Sequence, residues 1–273
     1  MNILLDIGGT KTRIAATADG TSFTEPIIID TPQLYAEGIT DIVDAARRAV
    51  GTSSVERIVG GIKGVVSHDG KVPLTAPNML DWKDKSLAND LSLALGASSA
   101  RFVNDAALVG LGEAVYGGGK GAGIVAYVTV STGVNGVRIT NGTIDITNEG
   151  FEIGGQYLSM TEPAQSLEDL VSGTAINHRF GMHPKELGKE NPLWEELART
   201  LAFGVHNTIL HWSPDRVVIG GSMMNDIGIS VPRVEAHVQE MMKKFTKVPP
   251  IMHSTLEDVG GLWGALALIG AAK

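Results

Sequence analysis

The stretch Asp6–Arg13, DIGGTKTR, closes an apolar run that begins almost at the first residue of the chain. It places one acid, two glycines, two threonine hydroxyls and two cations where a strand must turn. Glycine suits a tight hairpin by geometry alone, but it also lets backbone N–H groups approach a phosphate. The P-loop pattern G-x-x-x-x-G-K-[ST] is absent. The stretch is therefore either a structural hairpin or a phosphate-binding turn of another kind.

The side chains around the two glycines favour the phosphate interpretation. Thr10 and Thr12 add hydroxyl donors, and Lys11 supplies a point charge. Asp6 stands at the strand end, where it is placed to hold a hydrated magnesium ion, because Mg²⁺ keeps waters and takes few carboxylates. The expected phosphate ligands are Gly8, Gly9, Thr10, Lys11 and Thr12.

The composition narrows the class of protein. The 273 residues are 43% hydrophobic and 19% charged, which is typical of a soluble globular protein with one large domain or two lobes. A net charge of −8 argues against nucleic acid and anionic membranes as partners. The absence of cysteine excludes disulfides and thiolate zinc sites. No apolar segment reaches the length of a membrane span and the start lacks a signal-peptide pattern, so we expect a cytoplasmic protein.

Strands and helices alternate along the chain, which predicts an α/β fold. Short runs rich in Val and Ile predict buried strands at Ile3–Leu5, Arg57–Val59, Arg101–Val103, Ile124–Val130 and Arg216–Ile219. Apolar residues at helical spacing predict helices over Ile39–Val50 and Pro192–Trp212.

An internal echo suggests two related halves. DIGGTKTRIAATADGT resembles STGVNGVRITNGT, with Gly8 and Arg13 opposite Gly133 and Arg138. Each copy passes from a strand through a small-residue turn into a second strand. Two such turns facing each other across a cleft would grip a chain of phosphates from both sides, whereas two unrelated hairpins would share these glycines by chance.

Two residues at the end of a predicted strand are candidates for acid–base chemistry. Asn104 and Asp105 follow the strand Arg101–Val103 and precede a helix rich in small residues. Asp105 is either a helix N-cap or a general base at the bottom of a cleft, with Asn104 as a neighbouring donor to a polyol.

Other candidates come from the second half of the sequence. Glu152 in FEIGG and Glu168 in SLEDLVSG are good acceptors for sugar hydroxyls, although such acids are equally common on solvated surfaces. Gly220 and Gly221 in RVVIGGSMM leave space for a base or ribose, or form a plain strand-to-helix turn.

In this order the motifs resemble the ROK sugar-kinase family, named for repressors, open reading frames and kinases, which has the actin-like ATPase fold. The matching stretches are DIGGTKTRIA, APN at 76–78, VNDA around Asp105, STG at 131–133, EIGG, LEDLVSGTAI and VVIGGS. The resemblance implies two actin-like (ribonuclease H-like) lobes with a cleft between them. The first would span residues 1–116 and recruit the C-terminal helix 260–273, and the second would span 117–259.

The resemblance also implies a role for each candidate. Asp105 would take the proton from the primary hydroxyl of a sugar, which then attacks the γ-phosphate of Mg-ATP. The sugar ligands would be Asn78, Asn104, Glu152 and Glu168. The ligands of ATP in the second lobe would be Ser131, Thr132 and Gly133 at the phosphates and Gly220 and Gly221 at the adenosine.

One departure from the family pattern affects zinc and substrate. The family often carries E-x-G-H followed by a cysteine-rich zinc loop, but Gly155 stands at the histidine position and the loop is missing. A zinc-free member is therefore expected. A glucose-like hexose is the first choice of substrate, with N-acetylmannosamine or N-acetylglucosamine next, because glycine leaves room near the ring.

Three other interpretations remain open at this point. They are a sugar-sensing protein without turnover, an actin-like ATPase that activates a partner enzyme, and a transcriptional repressor. The last is disfavoured because no DNA-binding segment precedes the first motif. The expected partners are the sugar and ATP, and a homodimer is left open.

Overall fold

The computed structural model describes residues 1–160, 162–225 and 228–271. The strands are β1 (Asn2–Ile7), β2 (Lys11–Thr17), β3 (Ile27–Asp30), β4 (Arg57–Ile62), β5 (Ser99–Asn104), β6 (Ile124–Val130), β7 (Val134–Thr140), β8 (Thr143–Ile144), β9 (Arg216–Gly220) and β10 (Ile251–His253). The helices are α1 (Tyr35–Val50), α2 (Leu87–Leu95), α3 (Asp105–Val115), α4 (Leu167–Val171), α5 (Gly173–Phe180), α6 (Leu193–Trp212), α7 (Val231–Met241) and α8 (Gly260–Ala271). None of the described helices is both long and apolar enough to cross a bilayer.

The chain divides into two units. The first contains Met1–Tyr116, Ile146–Gly150 and the segment that begins at Leu256. The second contains Gly117–Asp145 and Phe151–Thr255. The segment that carries α8 thus belongs with the N-terminal strands, and the buried carboxylate of Glu113 accepts the N–H of Leu256 (2.8 Å) where this segment begins.

The sheet of the first unit has the strand order β3-β2-β1-β4-β5. β1 is antiparallel to β2 and parallel to β4, and β4 is parallel to β5. The register places Ile7 beside Ile62, and Ile62 beside Asn104. The carboxyl ends of three parallel strands therefore meet at one edge, which is where ligands bind in open α/β sheets.

Helices cover both faces of this sheet. Ile3, Leu5 and Ile14 pack in the core on the side of α1, whereas Leu4 and Ala15 pack in the core that includes residues of α8. The helices α3 and α8 approach very closely, because a Cβ built on Gly264 would lie only 1.8 Å from the carbonyl oxygen of Leu108. A strand buried on both faces explains why the sequence run is almost continuously apolar.

The sheet of the second unit repeats the same plan. Its order is β10-β9-β6-β7-β8, in which β6 is antiparallel to β7 and parallel to β9. The apolar stripe of α6, with Leu197, Leu201 and Val205, is buried in the core of this unit. The α/β class with two actin-like five-stranded sheets is confirmed, and the internal echo coincides with the two hairpins β1–β2 and β6–β7.

Candidate functional site

The turn after β1 contains two glycines, Gly8 and Gly9, whose surroundings differ. The N–H of Gly8 donates to the carbonyl of Lys11 (3.0 Å), and a Cβ on Gly8 would lie 3.0 Å from that same oxygen, so the hairpin itself favours glycine there. A Cβ on Gly9 would meet nothing closer than 3.5 Å. Since packing within the unit does not require glycine at position 9, the open backbone is suited to the close approach of a ligand.

The polar residues of this turn divide between solvent and core. Thr10 is exposed. Thr12 is fully buried, and its hydroxyl is hydrogen-bonded to that of Thr31 (2.9 Å). The expectation that Thr12 donates to a phosphate is corrected, because its side chain points into the core. The ammonium of Lys11 is bound to Asp30 (2.5 Å), its cross-strand neighbour on β3.

Asp6 lies at the end of β1 and is 9% exposed. Burial raises its pKa to about 6, with a further contribution from the charge of Asp105 and an opposing one from Arg13. The Arg13 Nη1 atom is 4.0 Å from the Asp6 carboxylate, and Arg13 also contacts Asp258 (3.6 Å). The first turn of α8 covers Asp6, because a Cβ on Gly261 would lie 2.5 Å from its Cγ.

The carboxylate of Asp6, with that of Asp105 nearby, fits a hydrated magnesium ion. A divalent cation beside Asp6 and Asp105 would favour the charged form of both carboxyls, which burial now disfavours. Within the described residues no three His, Cys, Asp or Glu side chains form a metal-binding group. Mg²⁺ is usually held by one or two carboxylates, waters and substrate phosphates, so a single carboxylate acting through water suits this ion.

Asp105 is the first residue of α3 and is not its N-cap. The cap is Asn104, whose Oδ1 accepts the N–H of Ala107 (3.0 Å). The N-cap alternative for Asp105 is therefore wrong. Burial raises the pKa of the Asp105 carboxyl, against the opposing effects of the Ala106 N–H and the charge of Lys63.

Both polar atoms of the Asn104 side-chain amide form hydrogen bonds within the protein. Its Nδ2 donates to the carbonyl of Gly64 (2.9 Å) while Oδ1 caps α3. The side chain therefore ties the loop after β4 to the helix that begins at Asp105. This geometry supports a positioning role more directly than the contact with sugar that the sequence suggested.

Asn78 and an unexpected lysine lie beside the turn. Asn78 is exposed, adopts a positive φ of 66°, and has its Cβ 3.9 Å from the Cβ position of Gly9. Lys63 follows β4 and passes along the same glycine, 3.5 Å from that position at its Cδ. Lys63 is not among the residues predicted from the sequence, although a lysine directly after a buried strand is a signal for such a position.

In the second unit the turn Ser131–Gly133 joins β6 to β7. The carbonyl of Ser131 accepts the N–H of Gly173 (2.7 Å), and its hydroxyl accepts the N–H of Ser222 (3.0 Å). Thr132 is exposed. The turn is thus held from two sides, by the start of α5 and by the segment after β9.

Glu168 and the segment after Glu152 both pack against the start of β7, which follows this turn. Glu168 accepts the N–H of Val134 through Oε2 (2.7 Å), and that oxygen lies 2.6 Å from the Cβ position of Gly133. Glu152 precedes a short 3₁₀ turn in which Gly154 packs against Val134, because a Cβ on Gly154 would lie 2.1 Å from the Val134 oxygen. The structure therefore brings Glu152 and Glu168, which are 16 positions apart in the sequence, to one segment.

The remaining candidate glycines differ in what they tolerate. Gly221 has a φ of 101°, and its Cβ would lie 2.3 Å from the carbonyl oxygen of Val130. Gly220 is confined by Ser254 and Tyr127, whose oxygens lie 2.8 and 2.9 Å from its Cβ position. The fold alone thus requires both. Gly155 is exposed and has nothing within 4 Å of its Cβ position, so a larger side chain would fit there.

The comparisons with known proteins show the family to which the chain belongs. The model of the ROK family matches residues 2–272, and the chain belongs to this family. A fructokinase of Pediococcus pentosaceus is 25% identical over 290 residues, which cover 98% of this chain and 97% of that relative. The resemblance that the motifs indicated is therefore confirmed.

Two solved structures show how widely this fold is shared. A ROK family glucokinase from Streptomyces griseus, in complex with glucose and AMPPNP, has a TM-score of 0.80 at 21% identity and covers 98% of both chains. A ROK family transcriptional regulator, a homologue of the E. coli MLC protein, has a TM-score of 0.82 at 16% identity, with 99% of this chain and 78% of the regulator covered.

Proposed function

We propose that this protein is an ATP-dependent sugar kinase that phosphorylates the primary 6-hydroxyl of a hexose, with a glucose-like sugar as first choice. Membership of the ROK family and the kinase names among its relatives support the class of reaction. The reaction is placed in the cytoplasm, where ATP is supplied, and needs no nucleic acid. A homodimer is the assembly to test by light scattering.

The observation that carries the proposal is the separation of tasks between Asn104 and Asp105. Asn104 performs the capping, so the carboxylate of Asp105 is not required to begin α3. Asp105 follows β5 at the carboxyl edge of the first sheet, its charge acts on Asp6, and burial raises its pKa. A raised pKa brings a carboxylate nearer to the operating pH, as general-base catalysis requires.

The reaction follows from this placement. The hydroxyl oxygen of the sugar attacks the γ-phosphorus while Asp105 takes the hydroxyl proton. The bond from the γ-phosphorus to the bridging oxygen breaks, and ADP leaves. Mg²⁺, when bound, would neutralise phosphate charge, and Asp6 would hold it through water. Most of the catalysis is then positioning and charge stabilisation.

The other residues are assigned to the two substrates. Sugar hydroxyls are assigned to Asn78, Glu152 and Glu168, of which Glu168 keeps Oε1 for this purpose, because the described contact with Val134 uses Oε2. The phosphates of ATP are assigned to Gly8, Gly9, Thr10, Ser131, Thr132 and Gly133. The adenosine is assigned to Gly220 and Gly221.

Two specific observations favour alternatives within the same fold. The open surroundings of Gly155 suit a sugar with an added acyl group, so an N-acetylhexosamine is the second substrate class. The fold shared with a transcriptional regulator favours a sugar-sensing protein without turnover. Intact Asp105 and Asp6 favour the kinase, because a sensor needs neither a proton acceptor nor a magnesium ligand.

A sugar panel with ADP release as the readout tests the proposal. The panel contains glucose, mannose, fructose, N-acetylmannosamine and N-acetylglucosamine, each with Mg-ATP. Asp105→Asn should lower kcat by at least about 100-fold, because it keeps the size of the side chain and removes the proton acceptor. Asp41→Asn, on the exposed face of α1, is the matched control. Sugar binding without turnover in the wild type would instead support the sensor.

A further inference from the structure

Lys63 occupies a position that no motif predicted. It directly follows β4, and its backbone N–H donates to the carbonyl of Ile7 (3.1 Å), so it continues the pairing of β4 with β1 up to the glycine turn. Its half-buried side chain runs along Gly9, with Cδ 3.5 Å and Nζ 3.8 Å from the Cβ position of that residue. The ammonium therefore lies over the turn.

The same ammonium faces the candidate base. Its charge opposes the effect of burial on the pKa of Asp105. Nevertheless, within the described residues Lys63 forms no ion pair, whereas Lys11 is bound to Asp30 at 2.5 Å. Of the two lysines near the glycine turn, Lys63 has its cation available to an anionic ligand.

The backbone around Lys63 is fixed in place. Gly64 has a φ of 110°, and its Cβ would lie 2.2 Å from the carbonyl oxygen of Thr75. The backbone conformation of the loop after Lys63 is therefore restricted by close packing. Asn104 holds the Gly64 carbonyl and caps the helix that begins at Asp105. One side chain therefore sets the position of both the cation and the base.

We propose that Lys63, and not Lys11, is the cation that binds the transferred phosphoryl group. The inference rests on the proposed kinase function. In the transfer, the acceptor oxygen bonds to the γ-phosphorus as the bond to the β–γ bridging oxygen breaks; the proton goes to Asp105 and ADP carries the leaving electron pair. The positive charge of Lys63 compensates the negative charge on the oxygens of the phosphoryl group during the transfer.

Substitutions at three lysines test this assignment. Lys63→Met keeps the length of the side chain and removes the charge, Lys63→Arg keeps the charge, and Lys11→Met tests the sequence-based alternative. Lys83→Met is the matched control, because Lys83 is an exposed lysine of the same unit, 3.9 Å from Asp84. Lys63→Gln serves as a second neutral variant if Lys63→Met does not fold. Turnover is measured with the preferred sugar, and AMPPNP binding by calorimetry.

The expected result is a fall in kcat of about 10²–10³-fold for Lys63→Met, with the KM for sugar and the melting temperature near the wild-type values. AMPPNP should bind more weakly, Lys63→Arg should recover part of the turnover, and Lys83→Met should behave as wild type. Near-normal kcat in a folded neutral variant, or a larger loss in Lys11→Met, overturns the assignment and leaves the kinase intact. A wild-type protein that phosphorylates no sugar overturns both.

Discussion

The ionised carboxylate of Asp6 should destabilise the folded protein in the absence of magnesium and nucleotide. Asp6→Asn should therefore be more stable than the wild type. Burial is the largest cause of its raised pKa, and the neighbouring charge of Asp105 adds to it. A carboxyl whose pKa is higher in the folded state than in the unfolded state stabilises the fold only while it is protonated. That contribution is complete below the unfolded value of 3.8 and is lost as the pH rises through about 6.

The size of the effect follows from the shift. A change from 3.8 to about 6 corresponds to about 3 kcal/mol at a pH above both values. Asparagine cannot ionise, so Asp6→Asn should be more stable than the wild type by about that amount at pH 8, and by about half of it at pH 5. In a chain of this length the melting temperature at pH 8 should rise by on the order of 5–10 °C.

The assay is thermal unfolding in EDTA from pH 5 to pH 8, with a double-mutant cycle. Asp258→Asn is the matched control, because Asp258 contacts the same Arg13 at 3.6 Å but is exposed, so its substitution should change stability little. Asp6→Asn and Asp105→Asn together should gain less than the sum of the single changes, since removing either charge relieves the other carboxyl. A stability gain that does not grow with pH, or a loss at pH 8, would refute the reasoning.

Two further predictions concern the helix cap at Asn104 and the glycines at positions 9 and 221. Asn104→Ser should keep the cap of α3 and lose the hydrogen bond to Gly64, whereas Asn104→Ala should lose both. The free energy of unfolding of Asn104→Ser should therefore exceed that of Asn104→Ala by about 1 kcal/mol, while both variants lose turnover. Equal stability of the two variants would contradict the capping role. Gly9→Ala should fold normally, because its Cβ meets nothing closer than 3.5 Å, yet raise the KM for ATP. Gly221→Ala should instead lower the melting temperature, and a folded Gly9→Ala with unchanged ATP kinetics would contradict the phosphate role.

The arrangement of the sheets could be predicted because buried strands have a strong sequence signal. The run Arg216–Ile219 lies within β9, which ends at Gly220, and the predicted helix Pro192–Trp212 differs from α6 by one residue at its start. Strand ends were less certain. β1 continues two residues past Leu5, to Ile7. A charged residue normally indicates the end of a buried strand, but Asp6 is buried by the residues packed around it.

The direction of side chains on β2 could not be predicted. Alternation normally separates the faces of a strand, and Lys11 and Thr12 do point to opposite sides. However, Ile14 and Ala15 are both fully buried, since helices cover both faces of this sheet. A strand buried on both sides has no polar face in its sequence, so nothing in the motif showed that the hydroxyl of Thr12 turns inward.

The placement of Lys63 beside Gly9 could not be predicted, for a different reason. It comes beside Gly9 only because β4 pairs in parallel with β1, and the register of that pairing places Ile62 opposite Ile7. Such a register depends on the packing of both strands and on the helix between them, and more than 50 positions separate the two residues. Parallel pairing of this kind leaves no local sequence signal, in contrast to the hairpin that follows Asp6.

The glycines show how the requirements of the fold and of a ligand can be distinguished. In the sequence, Gly9, Gly154 and Gly221 all stand in glycine pairs after or near a strand. In the structure, Gly154 and Gly221 are each forced by a backbone oxygen within 2.3 Å of the Cβ position. Gly9 is under no such constraint. Gly9 is not required by packing and lies beside Lys63, and this supports the proposal that its backbone approaches a phosphate.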